Sequence, residues 1–121
     1  MTHLPRERAM ELLESMLRAM THDPSHLSGH HIDEANGVYV GWVARPGSFC
    51  AAMPVTNETG TTSLIYSGED FPEPDTRLRL QRGGHTFGTA PASYLVHLYE
   101  EGPAFPAGLN GRFHGVLVDR E

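Results

Sequence analysis

The sequence predicts a small α+β domain built on antiparallel sheet, and three observations lead there. An amphipathic helix is written into Pro5 to Met20. Short alternating segments follow, separated by turn residues about every eight to twelve positions. A second helix, Thr89 to Glu101, begins beside Pro91 and stops at Gly102-Pro103.

The chain has 121 residues, enough for one domain with one core. Its net charge of −6 argues against a nucleic-acid footprint. No apolar run is long enough to span a membrane, and the polar start, Pro5-Arg6-Glu7-Arg8, is not a signal peptide. One cysteine, Cys50, leaves no internal disulfide and agrees with a cytoplasmic location. No cofactor is expected.

Taken in order, Pro5 suits a first helical position, because its missing N–H would be unpaired there anyway. Met10, Leu13, Leu17 and Met20 then recur at spacings of three and four, and Leu12 and Met16 widen that face. Thr21 to Gly37 reads as loop, with Pro24, Gly29, Asn36 and Gly37 and no apolar period. It holds His22, His26, His30 and His31 near Asp23, Asp33 and Glu34. Imidazole and carboxylate ligate divalent ions. Their spacing here matches no zinc motif, so a solvated loop is the expectation.

Val38 to Val43 and Phe49 to Val55 read as strands, joined by an Arg45-Pro46-Gly47-Ser48 turn. Asn57-Glu58-Thr59-Gly60 is a hairpin-type turn, and Thr61 to Tyr66 a third strand. That strand enters Ser67-Gly68-Glu69-Asp70, where Gly68 permits a positive φ and a backbone N–H could face a ligand oxygen. Phe71 to Gly84 is irregular, with a short helical piece near Asp75 to Gln81 whose Arg77, Arg79 and Arg82 read as solvated surface. Phe113 to Val118 is the last strand, and the abrupt finish beside it suggests a cut chain. The expected core is Leu13, Leu17, Val40, Trp42, Leu64, Tyr66, Leu95, Leu98, Phe113 and Leu117.

Two stretches carry a family resemblance: Tyr94-Leu95-Val96-His97-Leu98-Tyr99-Glu100-Glu101-Gly102, and Leu109-Asn110-Gly111-Arg112-Phe113 running on to Asp119-Arg120. With the Ser67-Gly68-Glu69 turn, they resemble the class II glutamine amidotransferase domain of asparagine synthetases. There the turn reads Asn-Gly-Glu. The resemblance runs from about residue 10 to the end, weakly in the middle. It implies an N-terminal-nucleophile (Ntn) hydrolase fold, with stacked antiparallel sheets flanked by helices. It further implies a processed N-terminal cysteine that attacks the glutamine amide with its own α-amine as base. An oxyanion hole at the turn and an Arg and an Asp that hold the substrate complete the family's site.

The chain departs from that pattern at most of these points. It has no counterpart of the family's Cys-Gly-Ile first strand, and Cys50 is internal. Ser67 stands where the oxyanion Asn would be, while Gly68 and Glu69 are kept. Pro91 and Ser93 stand where the family has Asp and Glu, and Arg45 falls near the substrate Arg. No Ser-Gly-Gly phosphate loop of an ATP-pyrophosphatase domain is present.

The resemblance therefore implies a partial, degenerate glutaminase-type domain over residues 1–121. Arg45, Ser67, Gly68 and Glu69 would be remnants of a weak site for a glutamine-like ligand, with no catalytic residue. A synthetase domain or a second copy would be its partner. Two alternatives stand beside this reading. One is an active amidohydrolase using Thr2 after loss of Met1. The other is an unrelated small α+β binding protein.

Overall fold

The computed structural model describes residues 2–121. The elements run α1 (Arg6–Met20), β1 (Leu27–Asp33), β2 (Val38–Ala44), β3 (Val55–Thr56), β4 (Thr62–Gly68), α2 (Thr76–Arg82), α3 (Leu95–Glu100) and β5 (Phe113–Asp119). They form two antiparallel sheets: a β1-β2 hairpin, and a three-stranded sheet in the order β3-β4-β5.

Pro5 caps α1, and its carbonyl accepts the Ala9 N–H at 3.0 Å. Thr21 closes the helix: its N–H and its hydroxyl both donate to the Leu17 carbonyl, at 3.0 and 2.8 Å. Glu7 in the first turn and Arg18 in the last complement the helix dipole. The buried side of α1 is narrower than the apolar spacing suggests. Ala9 and Leu13 are buried, and Leu13 and Leu17 pack over Gly41 of β2. Leu12, Met16 and Met20 face outward, Met16 at 61% exposure.

The layers follow from these contacts. α1 covers one face of β2, and β2 lies against β4. Between the hairpin and the second sheet is a cleft of about 200 Å³, lined among others by Val40, Trp42, Ile65, Ser67 and His114. β4 is buried from Thr62 to Tyr66, as a strand covered on both faces must be. Leu64 and Tyr66 point into the main core with Val55, Leu80, Ala92, Tyr94, Leu95 and Val96. Helix, hairpin, three-stranded sheet and helices thus stack in turn. Arg120 Nε donates to Asp33 Oδ2 at 3.3 Å and ties the end of β5 to the end of β1.

Three sequence expectations are corrected here. Residues 27–33 are a strand, not loop. Leu-Ser-Gly-His-His-Ile-Asp lacks alternation, but full pairing with β2 supplies the hydrogen bonds that its own pattern does not advertise. Phe49 to Val55 is mostly turn. Ser48 N–H bonds to Arg45 O and Ala51 N–H to Ser48 O, and Pro54 has no N–H to offer a ladder, so two residues remain as β3. The second helix is shorter than Thr89 to Glu101, because the Ser93 hydroxyl bonds to the Gly88 and Ala90 carbonyls and holds the approach in turns.

Of the expected core, Leu13, Leu64, Tyr66 and Leu95 are buried. Leu17, Val40, Trp42, Leu98, Phe113 and Leu117 are partly so. β5 pairs with β4 along its whole length, Gly68↔Phe113 to Thr62↔Asp119. Among the described residues no strand pairs with its other edge.

Candidate functional site

Ser67 and Gly68, expected as a turn, are the last two residues of β4, paired with His114 and Phe113, and the segment that follows is held by the one before β5. Gly68 has φ 127°, and a Cβ there would lie 2.2 Å from the Arg112 carbonyl oxygen. A Cβ on Gly111 would lie 1.9 Å from the Glu69 carbonyl oxygen. Only glycine fits at either place, because the two backbones touch. The Glu69 N–H donates to Arg112 O at 3.2 Å, and the Phe71 N–H to Asn110 O at 2.8 Å.

Asp70 is the centre of this junction. Its Oδ1 accepts the Asn110 N–H at 2.8 Å, and its Oδ2 accepts the Tyr94 hydroxyl. It is buried, so the acidic pair after the turn divides into an inward Asp70 and an exposed Glu69. Burial first, and then the hydrogen bond to Asp70, hold the Tyr94 hydroxyl protonated far above the ordinary tyrosine range. The Tyr66 hydroxyl donates to Glu69 O at 3.1 Å. Burial, with smaller help from the Asp70 and Cys50 charges, pushes its pKa up to about 12.

Of Ser67, Gly68 and Glu69, Ser67 lines the inter-sheet cleft, and the other two follow it along the chain. The Glu69 amide, bonded to Arg112, is not free to meet a ligand oxygen. Arg45 does not join them among the described residues. It is exposed in the turn after β2. There it gives minor help to the Ser25 amide and hydroxyl and to His26 in holding Asp23 below the ordinary carboxylate range.

Arg77 is not solvated surface as the sequence suggests. Its guanidinium donates to Pro91 O and Gly88 O, each at 3.1 Å, and to Ser93 Oγ at 3.2 Å. It also lies over the rings of Phe87 and Tyr94. It thus clamps the segment that precedes α3.

A second constellation is built on α3. Glu58, His85, His97 and Glu100 bring one ligand-type atom each within 4.8 Å of one another. His97 Nδ1 is 2.8 Å from Glu100 Oε2 and 3.5 Å from Glu58 Oε2. His85 Nδ1 is 3.5 Å from Glu100 Oε2 and 3.7 Å from Glu58 Oε1. The His97 ring is fully buried between Phe87 and His85, and its Nε2 has no partner. Burial is the largest influence on Glu58 and raises its carboxyl. The Thr86 and Glu58 amides and the two imidazoles together outweigh it and leave Glu58 below the usual value.

The sequence reading missed this cluster. The residues come from the β3–β4 turn, the loop after α2, and two positions three apart on α3. The signal within it was His97-Leu98-Tyr99-Glu100, whose spacing puts both side chains on one helix face. The histidines that did draw notice, His22, His26, His30 and His31, form no metal-type cluster among the described residues.

Against family models, curated proteins and solved structures, the chain finds no match.

Proposed function

We propose that this chain is a glutaminase-type domain of an asparagine synthase (glutamine-hydrolysing)-like protein, a class II glutamine amidotransferase domain that does not hydrolyse glutamine by itself. One observation carries the reading. The three stretches that bear the resemblance, the Ser67-Gly68-Glu69 turn, the Tyr94 helix and Leu109-Asn110-Gly111, are remote in sequence and meet at Asp70. An accidental likeness between separate segments gives no reason for them to share one buried carboxylate. The order of layers, with two antiparallel sheets between helices, supports an Ntn-hydrolase-like arrangement.

The chemistry of the site argues for inactivity. Amide transfer needs an activated nucleophile. The sole cysteine of these 121 residues is Cys50, which has no free α-amine. Ser67 offers a shorter side-chain donor than asparagine, and Pro91 carries no charge to hold a substrate amine. A glutamine-like ligand would bind weakly, and ammonia chemistry would belong to a partner synthetase domain.

Thr2 is poorly placed for the alternative mechanism. Its N–H donates to Gly37 O at 2.8 Å, at the turn joining β1 and β2. That end of the fold is tied to Arg120, whereas Ser67 pairs with His114. The two ends are separated by the length of β5, roughly 20 Å.

The test is ammonia release from glutamine by the purified chain, its Thr2→Ala variant and its Ser67→Asn variant. All three should stay at the buffer level. Release that Thr2→Ala abolishes would overturn the inactive reading and favour an N-terminal threonine nucleophile. The reading frame's flanking DNA supplies the second arm. An upstream Cys-Gly-Ile start and a downstream Ser-Gly-Gly loop support a synthetase-like whole. An unrelated continuation on both sides removes that support and favours a separate α+β binding protein.

A further inference from the structure

We infer that Glu58, His85, His97 and Glu100 form a binding site for a divalent transition-metal ion of the zinc class, independent of the Ser67 turn. Two neutral imidazoles and two carboxylates are a donor set that zinc accepts in four-coordinate geometry.

The spacing fits that use. A tetrahedron with metal–ligand bonds of 2.0–2.1 Å has edges of roughly 3.3 Å. Four of the donor pairs lie 2.8, 3.5, 3.5 and 3.7 Å apart, the last through Glu58 Oε1, and one atom from each residue falls within 4.8 Å of the rest. A single ion would draw the widest pairs, now within 4.8 Å, inward by up to about 1.5 Å.

The carboxylates are also held from outside the cluster. Asn57 Nδ2 donates to Glu100 Oε1 at 2.8 Å, and the Thr86 N–H donates to Glu58 Oε1 at 2.7 Å. Each carboxylate is thereby tethered through Oε1, while Oε2 faces the His97 Nδ1. Outer bonds of this kind orient ligands in metal sites. The Asn57 side chain is itself positioned, since its Oδ1 accepts the Thr62 N–H at 3.1 Å.

Access and rigidity are divided among the four. His97 cannot turn away, packed as it is between Phe87 and His85. Glu58 and Glu100 keep 35% and 25% of their side-chain surface open to solvent, so an ion can enter. Binding would displace any proton shared between His97 Nδ1 and the Glu100 carboxylate. It would cross-link the β3–β4 turn, the loop after α2, and α3.

The experiment uses the whole chain, stripped with chelator and titrated with Zn²⁺ and with Co²⁺. The expected results are one tight equivalent of Zn²⁺ and a raised Tm. Co²⁺ should give the intense visible absorption of a tetrahedral site. Asn57→Ala removes the Glu100 tether and the acceptor for the Thr62 N–H but no ligand, and it should weaken Zn²⁺ affinity by about 10–100-fold. Glu58→Gln and His85→Ala remove partly exposed ligands without opening the core, and each should abolish the Co²⁺ spectrum. A variant with His22, His26 and His30 all changed to Ala should keep both the spectrum and the Tm shift. No Co²⁺ absorption and no Tm response in the unaltered chain would overturn the proposal and leave a proton-held cluster. A Tm response that survives Glu58→Gln and His85→Ala but vanishes in the triple variant would overturn it too, placing the ion on the histidines near β1. None of these readouts involves glutamine, so the outcome is separate from that of the proposed function.

Discussion

The hydroxyl of Tyr94 donates to the carboxylate of Asp70, 24 residues earlier, and both groups are buried. This bond joins the approach to α3 to the turn after β4. The remaining Asp70 oxygen reaches Asn110, so one carboxylate fixes three segments. Tyr94→Phe keeps the ring and deletes the donor. A hydrogen bond to a charged group contributes about 1.5–3 kcal/mol. Urea denaturation should show a loss in that range, and a loss below about 0.5 kcal/mol would falsify the junction.

Alkali should act through the same pair of rings. The Tyr66 pKa is raised in the folded chain to about 12, from an ordinary value of 10.0. A group raised on folding stabilises fully below its unfolded pKa, and that contribution is lost as pH climbs through the folded one. Stability should therefore hold up to about pH 10 and decline between about 10 and 12. Tyr94 is shifted in the same direction and steepens the decline. Tyr66→Phe should flatten part of this limb in a pH series of thermal melts. An identical limb in the variant would remove Tyr66 from the account.

The two glycines at the β4–β5 junction should be far less tolerant than a glycine in an open turn. Gly60, like Gly68, has a positive φ, 72°, but a Cβ there meets nothing within 4 Å. Gly60→Ala should cost only the left-handed penalty, about 1–2 kcal/mol. Gly68→Ala adds a collision with a backbone carbonyl to that penalty, Gly111→Ala meets such a collision without it, and each should cost more than Gly60→Ala, with loss of folded protein as the extreme. Equal Tm values for the three variants would show that the close approach is not a constraint.

Truncation on α3 should track burial. Leu95 is fully buried in the main core, whereas Leu98 is partly exposed. Leu95→Ala should cost about 2–5 kcal/mol, and Leu98→Ala less. The reverse order, measured by chemical denaturation, would mean that the helix is rotated relative to this description.

Elements that carry their own pattern were legible in the sequence. α1, β2, β4 and β5 each show an apolar period or alternation, and each forms within a residue or two of its expected bounds. β1 was not legible, because a His- and Gly-containing strand acquires its hydrogen bonds from β2 rather than from any propensity of its own. The stretch after Arg45 misled for the opposite reason: its apolar residues suit a strand, but local turn bonds take the backbone groups first. The Ser67-Gly68 turn expected from residue types is instead the end of β4, because pairing with His114 and Phe113 carries the strand two residues further. The Glu58–His85–His97–Glu100 cluster could not be read from residue types, since its parts become neighbours only when α3 docks on the second sheet. Arg77 shows the same limit, as a surface-coded residue that tertiary contacts turn into a clamp.

The layered arrangement also follows the chain. α1, β1 and β2 come from one unbroken run ending at Ala44, and every strand of the second sheet comes after it. Each half can complete its own hydrogen-bond ladder before the halves meet across the cleft, with Arg120 and Asp33 as a late clasp. A bare two-stranded hairpin is marginal in water, so the first half leans on α1 and on docking for its persistence. Backbone amides of β1 and β2 should then exchange with deuterium through partial openings that leave β4 protected. Assembly would proceed by joining two preformed neighbours rather than by threading distant strands together.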